Sequence, residues 1–165
     1  MSVNTREGRD RIGRERMEAP LSARRLAELE RAYRRADYHL DTGDGPRSLQ
    51  IDRPAEEVAA WIAAHGLQRL VLLTAWNPGS RPLANAENTQ RQRQLERAVA
   101  EHGLRAWPAR NRDPDGQWPD EPALAIADLP DNLLASWLEA FGQNAAVLLE
   151  PPATPRLVWH PALAR

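Results

Sequence analysis

The sequence predicts an α/β or α+β layer fold, with about four helices on a sheet that mixes parallel and antiparallel strands. Three observations carry that expectation. Runs with helical and strand periodicity follow one another in the order α-β-β-α-β-α-β-β-α-β-β, and strands interspersed with helices bury their apolar faces as layers. Fourteen prolines and nine glycines are more punctuation than a helical bundle tolerates. A length of 165 residues, 42% hydrophobic and 27% charged, suits one globular domain with a real core.

The elements follow in order. Residues 1–19 have no apolar periodicity and read as a disordered basic arm ahead of a globular domain over 20–165. Met17 is an alternative start to Met1. Leu26, Leu29, Ala32 and Tyr33 recur at helical spacing, predicting a helix over 21–36. "DYHLD" and "RSLQID" flank "TGDGP" and read as two strands with a turn. "RPAEEVAAWIAAHG" is a helix with Pro54 in its first turn and Gly66 as its stop. The strand 69–76 ends in an Asn-Pro-Gly-Ser turn, and a helix over 86–102 follows with Asn85 as N-cap. "LRAWPAR" is a strand whose Pro108 argues for an edge or an irregular end. The loop "NRDPDGQWPDE", the strand "PALAIADL", the helix "PDNLLASWLEAFG" and the strands "NAAVLLE" and "RLVWH" complete the chain.

Composition removes several classes of chemistry. There is no cysteine, so disulfides, thiolate catalysis and cysteine metal sites are excluded. No apolar run spans a bilayer and the first twenty residues are polar and charged, so a cytoplasmic protein without membrane contact is expected. His65 and His102 each precede a glycine at a helix end, where an imidazole favours the negative end of the dipole. No histidine spacing suits a metal and no nucleophile elbow or phosphate-binding loop is present. No metal or cofactor is expected. All 22 basic residues are Arg. Residues 1–36 hold ten of them against six acids, about +4, and the remainder twelve against seventeen, about −5. Because acids interleave with the arginines, the arm is a weak signal for nucleic acid.

Three polar clusters interrupt the apolar pattern. The first, at the end of the strand 69–76, holds Thr74, Asn77, Ser80, Asn85 and Asn88 with Arg81 and Arg91. The second is the loop that carries Trp118 and Glu121, and the third is Gln143 and Asn144 after Gly142. Each reads as turn and cap chemistry or as part of a site. The stretches "AYRRADY", "TAWNPGSRPLANAENTQRQRQL", "DPDGQWPDEPAL" and "FGQNAAVL" resemble the family of small bacterial proteins catalogued as domain of unknown function 3293, over roughly residues 31–160. That family has no established activity. The resemblance implies that Asn77, Pro78, Ser80, Asn88, Glu121, Phe141, Gly142, Gln143 and Asn144 sit at its motif positions.

Chain direction tests whether the clusters meet. With the strand 69–76 running upward, the helix after it descends and the strand 104–109 rises, a parallel crossover. The loop 113–121 is then at the top, and a descending strand, a climbing helix and another descending strand bring Gln143 and Asn144 there too. At least three of Asn77, Ser80, Glu121, Gln143 and Asn144 are therefore expected to line one concave patch, with Trp118 on its rim. The free N–H groups at the start of the helix 86–102, with Arg91, suit an anion. The expected function is a pocket for a small anionic ligand, a nucleotide or phosphometabolite. If the protein is a hydrolase or transferase, Glu121 is the catalytic base and Asn77, Ser80, Asn88, Arg91, Trp118, Gln143 and Asn144 bind the ligand. The alternative is a non-catalytic interaction module whose Arg-rich arm reaches nucleic acid or a protein partner.

Overall fold

The computed structural model describes residues 21–164. The basic arm over 1–19, and with it the choice between Met1 and Met17, lies outside the described residues. Helix α1 (Ala23–Arg35) opens on Ser22, whose Oγ accepts the Arg25 N–H at 3.1 Å and so satisfies a first-turn donor. Strands β1 (Asp37–Asp41) and β2 (Pro46–Leu49) form a hairpin. Helix α2 (Glu56–Ala64) has Glu56 and Glu57 in its first turn, on the positive end of its dipole. Strand β3 (Leu70–Leu73) leads into a single 3-10 turn, Pro78–Ser80, and then helix α3 (Asn85–Glu101). Strands β4 (Ala106–Arg112) and β5 (Glu121–Ala127), helix α4 (Asp131–Ala140), and strands β6 (Ala145–Leu149) and β7 (Arg156–Trp159) follow. This is the order expected from the sequence. Asn85 is not the cap of α3, because Ala84 holds that position and no side chain bonds the first turn there.

The seven strands form one sheet in the order β2-β1-β4-β5-β3-β6-β7. Every pair of neighbours is antiparallel, which corrects the expected mixed sheet. The reason lies in the crossovers. The connection through α3 does carry the chain from β3 to a strand of the same direction, but β4 does not come to rest beside β3. Strand β5 turns back from β4 and takes the place between them. In the same way α4 carries the chain from β5 over β3 to β6. Residues 70–149 are thus two interleaved β-α-β units, the split arrangement in which each crossover skips a strand. Pro108 is inside β4, not at a sheet edge. The β1 ladder ends at Leu40–Ala109, one residue short of it, so its missing N–H falls where that flank has no partner.

The period of two along β3 divides the core. Leu70 and Leu72 pack with Val58, Trp61 and Ile62 of α2 on one face. Val71 and Leu73 pack with Leu95 and Val99 of α3 and with Leu134, Trp137 and Leu138 of α4 on the other. Burying each such side chain stabilises the fold by about 1.5–3 kcal/mol relative to exposure. Because both faces of β3 are covered, "LVLL" is buried at all four positions. The rigid sheet then presents its upper edge, the carboxyl end of β3, as a fixed frame.

Candidate functional site

On the α2 face the upper strand positions turn from apolar to polar. Leu40 gives way to Tyr38, Ala109 to Asn111 and Ala125 to Glu121, each at an even step along its strand. Tyr38 pairs with Asn111 across β1 and β4, and Asn111 pairs with Glu121 across β4 and β5. Directly opposed residues leave the same face with Cβ atoms about 4.5–5.5 Å apart, so these three side chains form one row. Above the row lies a cavity of about 60 Å³, lined in part by Tyr33, Tyr38, Asn77, Asn111, Glu121 and Asn144. Thr74, Trp76, Ser80 and Gln143 line it as well, over a floor that includes Leu72 and Val147.

Two hydrogen-bonded groups line the cavity. In the first, Asn77 Nδ2 donates to Glu121 Oε1 at 2.8 Å. In the second, the Tyr33 and Ser80 hydroxyls are 2.7 Å apart, and Asn144 Nδ2 donates to both, at 3.1 and 3.3 Å. The Tyr38 hydroxyl donates to the Tyr33 carbonyl at 2.7 Å and fixes the end of α1 over the cavity. Burial pushes the Glu121 carboxyl above its usual pKa, and the Asn77 bond opposes that only in part. Burial likewise raises Tyr33, against the bonds from Ser80 and Asn144, and raises Tyr38 further. Both phenols are therefore neutral donors at physiological pH.

The turn that supplies Asn77 and Ser80 is conformationally costly. Asn77 and Ser80 have φ values of 45° and 58°, the left-handed region that side chains other than glycine seldom enter. It is held from below. Asn88, 1% exposed, accepts the Asn77 N–H at 2.8 Å and donates to Asn77 Oδ1 at 2.7 Å and to the Leu83 carbonyl at 3.3 Å. Gln92 accepts the Ala75 N–H at 3.0 Å. Arg91 donates to the carbonyls of Ala75, at 3.0 Å, and Phe141, at 2.6 Å. Gln143 donates to the carbonyls of Trp76 and Phe141.

The sequence-predicted residues therefore fall into three groups. Asn77, Ser80, Glu121, Gln143 and Asn144 line one cavity. Asn88 and Arg91 do not line it; they bond the backbone that shapes it. Trp118 does not line it either and stands 57% exposed on the loop between β4 and β5. Thr74, counted in the first polar cluster, lines the cavity as well, and sequence reasoning missed Tyr33, Tyr38, Trp76 and Asn111. The signal for the two tyrosines was present in "AYRRADY", and Asn111 follows from the β4–β5 register once the hairpin is recognised.

The electrostatics differ from those expected of an anion site. Among the described residues Glu121 is the one carboxylate of the lining, and no Arg or His is part of it. The first turn of α3 does not contribute to the lining either. Ser80 has a phenol and an amide as partners rather than an imidazole or carboxylate, which leaves its hydroxyl unactivated as a nucleophile. Among the described residues no group of three or more His, Cys, Asp or Glu could hold a metal ion, and no helix is long and apolar enough to cross a membrane.

A family model described as a protein of unknown function (DUF3293) matches residues 73–146. The matched stretch runs from the end of β3 to the start of β6. It contains Asn77, Ser80, Asn88, Arg91, Asn111, Glu121, Gly142, Gln143 and Asn144, and it leaves out Tyr33 and Tyr38. No curated protein and no solved structure matches the chain.

Proposed function

We propose, for a chain that belongs to the protein family of unknown function DUF3293, that the cavity over the Tyr38–Asn111–Glu121 row binds a small polar molecule and that Glu121 meets it. The observation that carries this reading is Glu121 itself. It is half-buried, it takes one hydrogen bond, and no cation stands against it among the described residues. Taking a carboxylate out of water without a paired charge is costly, and a fold selected for stability alone has cheaper residues for a strand end. A carboxyl whose pKa is raised also holds and releases a proton closer to neutral pH, the property of a general acid or base.

The volume limits the ligand. About 60 Å³ is well below the roughly 300–1,000 Å³ of pockets that take drug-sized molecules, so a head group of a few heavy atoms fits and a whole nucleotide does not. A lining with one carboxylate and no cation repels anions, so the ligand is neutral or cationic. The experiment is an NMR fragment screen with small polar molecules. Bound fragments are expected to shift the amide signals of Asn77, Asn111, Glu121 and Asn144, and Glu121→Met is expected to remove the effect while the spectrum stays folded. Hits that map elsewhere on the surface, or persist in that variant, would overturn the reading.

A further inference from the structure

The hydrogen-bonding capacity left over in the cavity is specific in kind, and from it we infer that the ligand presents a neutral donor–acceptor group, a primary carboxamide or urea-like head, held between Glu121 and Trp76. The inference rests on the reading of the cavity as a ligand pocket. Trp76 then becomes a binding residue in its own right.

Two groups carry the argument. Among the described residues Glu121 takes one hydrogen bond, from Asn77 to Oε1, and a carboxylate can accept several. Trp76 lines the same cavity, and its indole Nε1 is buried without a hydrogen-bond partner. Buried polar side-chain atoms in folded proteins are nearly always paired, and an indole N–H can only donate. The lining residues thus include a strong acceptor and a donor without a partner. A cation satisfies Glu121 and sets another donor against the Trp76 N–H. An anion satisfies Trp76 and meets the like charge of Glu121. A carboxamide gives its N–H to the carboxylate and its carbonyl oxygen to the indole. Asn111, directly across the ladder from Glu121, supplies an amide able to pair with either edge. Tyr33, Ser80 and Asn144, which also line the cavity, are already bonded to one another.

Three probes of similar size separate the alternatives: acetamide, methylammonium and acetate, each titrated into the protein at constant ionic strength. The readout is the Trp76 indole N–H signal, assigned with Trp76→Phe. Acetamide is expected to shift that signal saturably, whereas methylammonium and acetate leave it in place. Trp76→Phe and Glu121→Met should each weaken acetamide binding about tenfold or more, the cost of losing a hydrogen bond in which one partner is charged or buried. If methylammonium or acetate binds in the cavity and acetamide does not, the pocket stands and the donor–acceptor assignment falls. If none of the three perturbs the cavity residues, the pocket reading falls with it. Should a variant fail to fold, the three titrations of the unaltered protein still decide.

Discussion

Gly142 is packed against Pro78. A Cβ built on Gly142 would come within 3.0 Å of Pro78 Cβ, and the Gly142 carbonyl accepts the Gly79 N–H at 2.7 Å. The end of α4 and the Asn77–Ser80 turn are thus joined through one residue that has no room for a side chain.

Gly142→Ala is therefore expected to destabilise the protein more than Gly103→Ala. Both glycines have left-handed φ, 63° and 65°, but the added Cβ of Gly103 meets nothing within 4 Å. The left-handed conformation alone costs about 1–2 kcal/mol for an alanine, and overpacking against Pro78 adds about 1–3 kcal/mol. Urea denaturation of the two variants isolates the second term as their difference. Equal losses would show that the turn yields freely.

Arg91 should prove structural. Its guanidinium bridges the carbonyls of Ala75 and Phe141, so Arg91→Met takes this donor from Ala75 and leaves Phe141 with the Gln143 bond alone, at an expected loss of about 1–3 kcal/mol. Arg91→Lys should recover little, because a single ammonium does not reproduce the planar fork. Denaturation midpoints check this. A lysine variant as stable as the parent would mean that a point charge suffices there.

Chain direction was legible in the sequence, and neighbour identity was not. That β3 and β4 rise while β5 and β6 descend follows from helix and hairpin lengths, which is why five side chains from three distant clusters share one cavity as connectivity requires. Which strand lies beside which depends on the packing of whole crossovers. Strand β5 pairs with both β3 and β4, and no local pattern in "PALAIADL" states that. The roles of Asn88 and Arg91 were hidden for a related reason. A polar residue near a turn reads alike whether it faces a ligand or bonds a carbonyl that the fold has buried. Trp118 reads as a ligand-binding residue in sequence, yet it stands exposed on the β4–β5 loop and is not part of the lining.

The pH dependence of stability follows from the direction of the Glu121 shift. Its pKa is raised in the folded state by burial, so the folded protein binds the proton more tightly than the unfolded chain. The stabilising contribution is complete below the unfolded pKa and is lost as pH rises through the folded value. Glu121→Gln, which keeps an acceptor for Asn77 Nδ2, removes this dependence. At neutral pH it is expected to be more stable than the parent by about 0.5–2 kcal/mol, and the gap should close in mildly acidic buffer. Thermal melts across that range give the comparison. A parent whose stability rises with pH relative to the variant would reverse the sign and refute the assignment.

The side-chain carboxyl titration of Glu121, followed by carbon-13 NMR and assigned against Glu121→Gln, tests the central claim most directly. A carboxylate that is half-buried and, among the described residues, bonded once by Asn77 and unopposed by a cation should titrate above the ordinary glutamate value of 4.5. A midpoint at or below that value would mean that water or a cation already solvates Glu121, and the carboxyl would then be an ordinary strand-end charge.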